Sequence, residues 1–303
     1  MSRRLLMICL FACALLAICS CARKTAEENN MQTELKPQET AAEMPGETVV
    51  AVSRSNAQLW LLAGGQPAGV TEDALDLEGL DPGVVSVGTI SEPNLEAILA
   101  LTPDIVMLAE GIPSQETLQE SLLAAGIDCR MVDIGSFEDY EAVMKELTEK
   151  TGRDDLYAEN VTKVNERIQA VVSQAKDLEP ADYLALRVSA TKNKALKNDS
   201  FACRIMNDLQ MTNIAQDDSA LDDLSVEAVV AADPDYLFII PQGSEDKAMD
   251  SYREAFESKP VWQDLTAVKE GRVFVLPKDL FQYKPNNLWD EAYAYIYDLR
   301  TAE

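Results

Sequence analysis

From Asp154 to Leu178 the chain contains neither proline nor glycine. Tyr157, Val161, Val164, Ile168, Val171, Ala175 and Leu178 recur at alternating intervals of four and three, the stripe of one amphipathic helix. About 25 residues at ~1.5 Å each reach roughly 37 Å, comparable with the width of a small domain. No strand pattern interrupts the run, and Pro180 stops it.

Both flanks of this helix alternate short apolar runs with helical periodicity. Before it, strands are expected at Val49–Val52, Val84–Val87, Asp104–Leu108 and Cys129–Val132. Between them lie helices at Ser55–Ala63, Asn94–Ala100, Gln115–Ala125 and Phe137–Thr151. After it come strands at Tyr183–Val188, Tyr236–Ile240 and Val273–Leu276, with helices at Phe201–Leu209, Val226–Ala231, Ser251–Glu257 and Leu288–Leu299. Such alternation predicts parallel sheets covered on both faces. The expected fold class is α/β: two Rossmann-like lobes with parallel sheets, joined by one long α-helix. The divisions fall at 48–152 for the first lobe, 153–179 for the bridging helix and 180–303 for the second lobe.

The lobes echo one another. Asn94 to Val106 reads NLEAILALTPDIV, and Ser225 to Leu237 reads SVEAVVAADPDYL. Asn94 and Ser225 are natural N-caps, and Pro103 and Pro234 end each short helix before an apolar strand. Two such blocks in corresponding places predict a repeated unit.

The N-terminus reads as an address. Arg3 and Arg4 precede an apolar stretch from Leu5 to Ile18. At about 14 residues it is short for a bilayer span and right for a signal-peptide core. It closes on Ile18-Cys19-Ser20-Cys21, which resembles a lipoprotein signal. That resemblance implies a signal peptide over 1–20, cleavage before Cys21 and lipid on its thiol. Residues 21–47 are polar and poor in aromatics, and are expected to form a flexible tether. Of six cysteines, Cys21, Cys129 and Cys203 then survive in the mature chain. The last two fall in different lobes and read as small packing residues.

Composition excludes several functions. The net charge of −26, from 52 acidic and 26 basic residues, repels phosphate backbones, so no nucleic-acid partner is expected. Membrane attachment needs an anchor instead of a basic face. With no histidine anywhere, His-ligated metal sites and His-dependent nucleophilic catalysis are excluded. An enzyme of another kind would need a cysteine cluster or supported paired carboxylates, and the chain displays neither pattern. No resident cofactor or metal is expected.

Taken together, the lipoprotein start, the NLEAILALTPDIVML block, its SVEAVVAADPDYLFI echo and the long helix resemble the substrate-binding proteins of ABC importers for iron–siderophore complexes, haem and cobalamin. In that class a single rigid helix bridges the lobes. The closing stretch Gly271 to Tyr297 also resembles such lipoproteins. The resemblance covers roughly residues 48–300. It implies a monomeric receptor on the extracytoplasmic face of the cell membrane, lipid-anchored at Cys21, with an ABC permease and its ATPase as partners. It also implies that Glu96 and Glu227, one on each rim, dock to permease arginines. Two fixed negative charges far apart on one face orient a partner, although a helix macrodipole alone also favours a carboxylate in its first turn.

In such a protein the ligand lies where strands end, between the lobes. The candidates are therefore Ser53, Arg54, Asn56 and Trp60 after the first strand, and Glu92 after the second. Glu110-Gly111 follows the third. Arg187, Thr191 and Lys192 follow the first strand of the second lobe, and Phe281, Tyr283 and Lys284 the last. Arg187, Lys192, Lys194, Lys197 and Lys284 are expected to form a positive floor for an anionic chelate. Trp60, Phe281 and Tyr283 are expected to stack on a planar ligand, while Trp60 also fits a core position. The expected function is capture of an iron chelate of siderophore type and delivery to a permease, with no chemistry on the ligand. A haem or cobalamin receptor of the same class, and a ligand-sensing lipoprotein uncoupled from transport, remain open.

Overall fold

The computed structural model describes residues 46–216 and 225–302. The expected signal peptide, Cys21 and nearly all of the expected tether lie outside the described residues.

The first sheet is wholly parallel. Its strands are β1 (Val49–Ala51), β2 (Pro67–Val70), β3 (Val85–Ser86), β4 (Ile105–Ala109) and β5 (Asp128–Val132), in the order β3-β2-β1-β4-β5. Every residue of β1 is buried, because helices cover both faces. These helices are α1 (Arg54–Leu62), α2 (Leu95–Ala100), α3 (Pro113–Ala124) and α4 (Phe137–Thr151). Gly65 follows α1, and a Cβ there would lie 2.1 Å from the Trp60 indole. Only glycine lets the chain turn back across that ring.

The bridge is helical from α5 (Asp154–Tyr157) through a π-helical turn (Ala158–Thr162) to α6 (Lys163–Ala175). Val161, Val164, Ile168 and Ala175 are buried, as the stripe predicts. Helicity ends three residues before Leu178, and the π turn interrupts the regular ladder. At that turn the carbonyl of Asn160 accepts from the Tyr140 hydroxyl (3.0 Å), which ties the bridge to α4.

The second sheet departs from expectation, because it is mixed. Its strands are β6 (Ala181–Val188), β7 (Asn193–Ala195), β8 (Met211–Asn213), β9 (Tyr236–Pro241) and β10 (Val273–Val275). The path is β10-β9-β6-β7, with β8 also on β6. β6 and β7 are antiparallel, joined by a tight hairpin in which Ser189 N donates to the carbonyl of Lys192 (3.0 Å). Two residues of turn suffice for an antiparallel return, whereas a parallel one needs a crossover. Around this sheet pack α7 (Phe201–Asp208), α8 (Val226–Ala232), α9 (Glu245–Tyr252), α10 (Thr266–Lys269), α11 (Lys278–Phe281) and α12 (Trp289–Thr301). The helix expected at Ser251–Glu257 is the π-helical continuation (Arg253–Glu257) of α9.

One continuous apolar core passes from Trp60, Phe137 and Tyr140 through Val164 and Ile168 to Tyr183, Phe238 and Trp289. Trp289 sits edge-on between Phe137 (6.1 Å) and Phe201 (5.8 Å), one from each side of the bridge. The two sheets thus share an aromatic joint as well as a helix.

The repeat is real at the level of atoms. Asn94 Oδ1 accepts from Ala97 N (3.1 Å), and Ser225 Oγ from Ala228 N (3.0 Å). Both blocks then pass through a left-handed residue, Thr102 (φ 46°) and Asp233 (φ 41°). Asp104 Oδ2 accepts from Thr48 N (2.7 Å) and Asp235 Oδ2 from Asp182 N (2.9 Å), each securing the start of a central strand.

Candidate functional site

A cleft of about 210 Å³ opens at the carboxyl ends of β1, β4 and β5. Ser53 and Asn56 line it from the start of α1, Ala109 and Glu110 from the end of β4, and Val132, Asp133 and Ile134 from the end of β5. Ile90 closes one side. The opposite wall comes from the second half of the chain, at Gln282, Tyr283 and Lys284. Strand ends leave backbone groups and loop side chains free to face a ligand, which is why α/β sheets bind there.

Gln115 holds this floor together. It is fully buried on the inner face of α3, with Leu118 and Leu122. Its Nε2 donates to the carbonyls of Val52 (2.7 Å) and Ile90 (3.1 Å), and its Oε1 accepts from Ala109 N (2.7 Å). One side chain thereby fixes three segments of the cleft. The signal in the sequence is a glutamine in register with two leucines on an otherwise apolar face.

Lys284 is the cation of the cleft. Its ammonium donates to the carbonyl of Ile134 and lies 5.1 Å from the centre of the Phe201 ring. Burial pushes its pKa below the ordinary lysine value; Asp133 and Asp139 oppose this, and Arg187 adds to it. Arg187, on β6, is itself shifted down by burial, against the pull of Cys203 and Asp199. Among the described residues neither cation forms an ion pair.

A second cavity of about 650 Å³ adjoins the first and shares Tyr283 and Lys284 with it. Arg54, Gln58, Asp76, Glu78 and Asp279 line it. Arg54 donates to the carbonyl of Asp73 (2.7 Å) and pairs with Asp76, whose carboxyl it holds below the usual range. The Arg54 guanidinium (5.6 Å) and the Lys278 ammonium (5.2 Å) both lie over the Tyr283 ring.

The remaining candidates lie elsewhere. Trp60 is 5% exposed and Phe281 is fully buried, both in the core, because they occupy the inward faces of their helices. Phe281 packs on Tyr295 at 6.1 Å. Neither stands ready to stack on a ligand. Glu92 is exposed in the turn that begins at Thr89 and does not line the cleft. Thr191 and Lys192 are exposed at the β6–β7 hairpin, whose Asn193 reaches Ser251 (3.3 Å) on α9. Lys194 thus sits on a short edge strand, where charge deters pairing with another chain. Of the residues expected in the positive floor, Lys284 lines the cleft. Glu96 and Glu227 are exposed in the first turns of α2 and α8.

Cys129 is half-buried and Cys203 buried, both as free thiols. Among the described residues no cluster of acidic, cysteine or histidine side chains is suited to hold a metal ion, and no helix is long and apolar enough to cross a membrane.

The fold and its interlobe cleft are those of a solute-binding component of ABC importers. The chain belongs to the periplasmic binding protein family, whose pattern matches residues 49–280. It is 24% identical over 294 residues to the Fe(3+)-citrate-binding protein YfmC of Bacillus subtilis, covering 90% of this chain and 88% of that one. Among solved structures it resembles Staphylococcus aureus IsdE complexed with heme, with a TM-score of 0.75 at 18% identity, over 84% of this chain and 99% of that one. It also resembles the vitamin B12 binding protein BtuF of Vibrio cholerae, with a TM-score of 0.68 at 18% identity, over 84% and 97% of the two chains.

Proposed function

We propose that this protein captures an anionic iron chelate of siderophore type outside the cytoplasmic membrane and passes it to an ABC permease. The observation that carries the ligand class is Lys284, a half-buried cation in the cleft wall that forms no ion pair among the described residues. Burying a cation without a counter-ion is costly. Asp133 and Asp139 lie near enough to favour its charge, yet neither closes an ion pair with it. An anionic ligand supplies the missing charge. The likeness to an Fe(3+)-citrate-binding protein points the same way.

In this reading residues 1–20 direct export, lipid on Cys21 anchors the protein, and 21–47 tether it. The lobes 48–152 and 180–303 hold the ligand across the bridge 153–179. Glu96 and Glu227 stand exposed on equivalent helices and dock to the permease. The protein acts as a monomer and alters no bond of its ligand.

The test is a titration of the soluble form, residues 22–303, followed by tryptophan fluorescence. Trp289 reports on the cleft through Phe201, which Lys284 overlies. Saturable quenching by ferric citrate or a ferric siderophore at submicromolar concentration is expected. Quenching by haem or cobalamin alone would overturn the ligand class.

A further inference from the structure

Two buried polar atoms on opposite walls of the inner cleft have no hydrogen-bond partner: Asn56 Nδ2 and Gln282 Oε1. Asn56 is 2% exposed, and its backbone N–H is already committed to Ser53 Oγ (3.1 Å), which fixes the residue in the first turn of α1. Gln282 follows α11, where its own N–H donates to the carbonyl of Lys278 (2.9 Å). The loop carrying it is pinned against α1, because Asn286 Nδ2 donates to the carbonyl of Ser55 (3.3 Å) and to Gln58 Oε1 (2.9 Å). Asn56 and Gln282 therefore line one chamber from two fixed elements.

Native proteins rarely leave buried polar atoms unpaired, and exceptions cluster where a ligand completes them. One of these atoms is a donor and the other an acceptor. A carboxylate satisfies Asn56 but has no proton for Gln282, and its oxygen would repel the Oε1. A secondary amide satisfies both: its carbonyl accepts from Asn56 Nδ2 and its N–H donates to Gln282 Oε1.

We infer that the inner cleft contains a neutral amide subsite, Asn56 with Gln282, that selects iron chelates carrying a secondary amide beside their anionic groups. This rests on the proposed role as an iron-chelate receptor and deepens it. Lys284 supplies affinity for charge, and the two amides supply discrimination, because a site built to hydrogen-bond a group rejects analogues that lack it.

The probes are two preloaded ferric tripodal tris-catecholates of equal charge, one with its arms joined through secondary amides and the other through methylene groups. Calorimetry on the soluble protein should give a preference of about tenfold or more for the amide chelate. Asn56→Leu and Gln282→Met should each collapse that preference. Neither should lower the melting temperature, since neither unpaired atom is bonded within the protein. Equal affinity of the wild type for both probes would overturn the subsite, as would a preference that survives both substitutions. Binding of ferric citrate with rejection of both catecholates would also overturn it while leaving the receptor role standing. Failure of all three chelates to bind would instead overturn the receptor role beneath it.

Discussion

Lys284, on the loop after α11, donates its ammonium proton to the main-chain carbonyl of Ile134 at the end of β5, so one charged side chain spans the cleft between the two sheets. Lys284→Met removes both this link and the cation. Affinity for an anionic ferric chelate should fall by about tenfold or more, with the protein still folded. Calorimetry with ferric citrate checks this.

The same residue sets a pH dependence. Burial lowers its folded pKa, so the unfolded state holds the proton more tightly. Lys284 therefore costs stability while it is charged in both states, and that cost is relieved as pH rises from the folded pKa to the ordinary lysine value. An anionic ligand favours the charged form and raises the pKa again. Binding should therefore take up protons on the alkaline side and weaken as pH rises through that window. Affinity measured against pH, with binding enthalpy compared in buffers of different ionisation enthalpy, should show this for the wild type and lose it in Lys284→Met.

Gln115→Leu cuts three hydrogen bonds at once and strands two carbonyls and an N–H. It should cost about 3 kcal/mol of stability and also weaken ligand binding. Leu122→Ala, on the same helix in the core behind the sheet, should cost about 2–5 kcal/mol and leave binding intact. Urea unfolding beside titration separates positioning from stability. Equal effects of the two substitutions on affinity would reduce Gln115 to a packing residue.

The repeated block gives an asymmetric pair of outcomes. Thr102 and Asp233 share a left-handed backbone, which a β-branched residue adopts at a cost. Thr102→Gly should therefore stabilise by about 0.5–1 kcal/mol. Asp233→Gly should destabilise, because its carboxylate accepts from both Thr266 N (2.7 Å) and Thr266 Oγ1 (2.8 Å) at the start of α10. Urea midpoints at constant slope check both signs.

Much of this molecule is legible in its sequence. The bridge was readable because seven apolar residues keep one stripe, and the repeat because capping residues and Pro-Asp recur in register. β2 escaped notice because Pro67 and Gly69 read as breakers, and β7 and β8 because each is three residues long and partly polar. The rule that ligands meet strand ends reached Ser53, Asn56 and Glu110. It missed Asp133 at the end of β5, and it misplaced Trp60 and Phe281, since proximity in sequence to a strand end does not say which face of a helix a ring occupies. Lys192 and Lys194 fall on the β6–β7 hairpin and do not line the cleft. Gln282 became visible only when two distant segments met.

Docking is tested in cells. Glu96→Lys with Glu227→Lys should abolish uptake of a radio-iron chelate, while the soluble double variant keeps wild-type affinity. Uptake that survives both reversals would remove these glutamates from the permease interface.

The most direct test of the central claim is an iron anomalous difference map from crystals of residues 22–303 grown with a ferric chelate. The account predicts one peak in the cleft, between the ends of β1, β4 and β5 and the Gln282–Lys284 wall. A peak elsewhere on the protein, or no peak under conditions where calorimetry shows saturation, would contradict it.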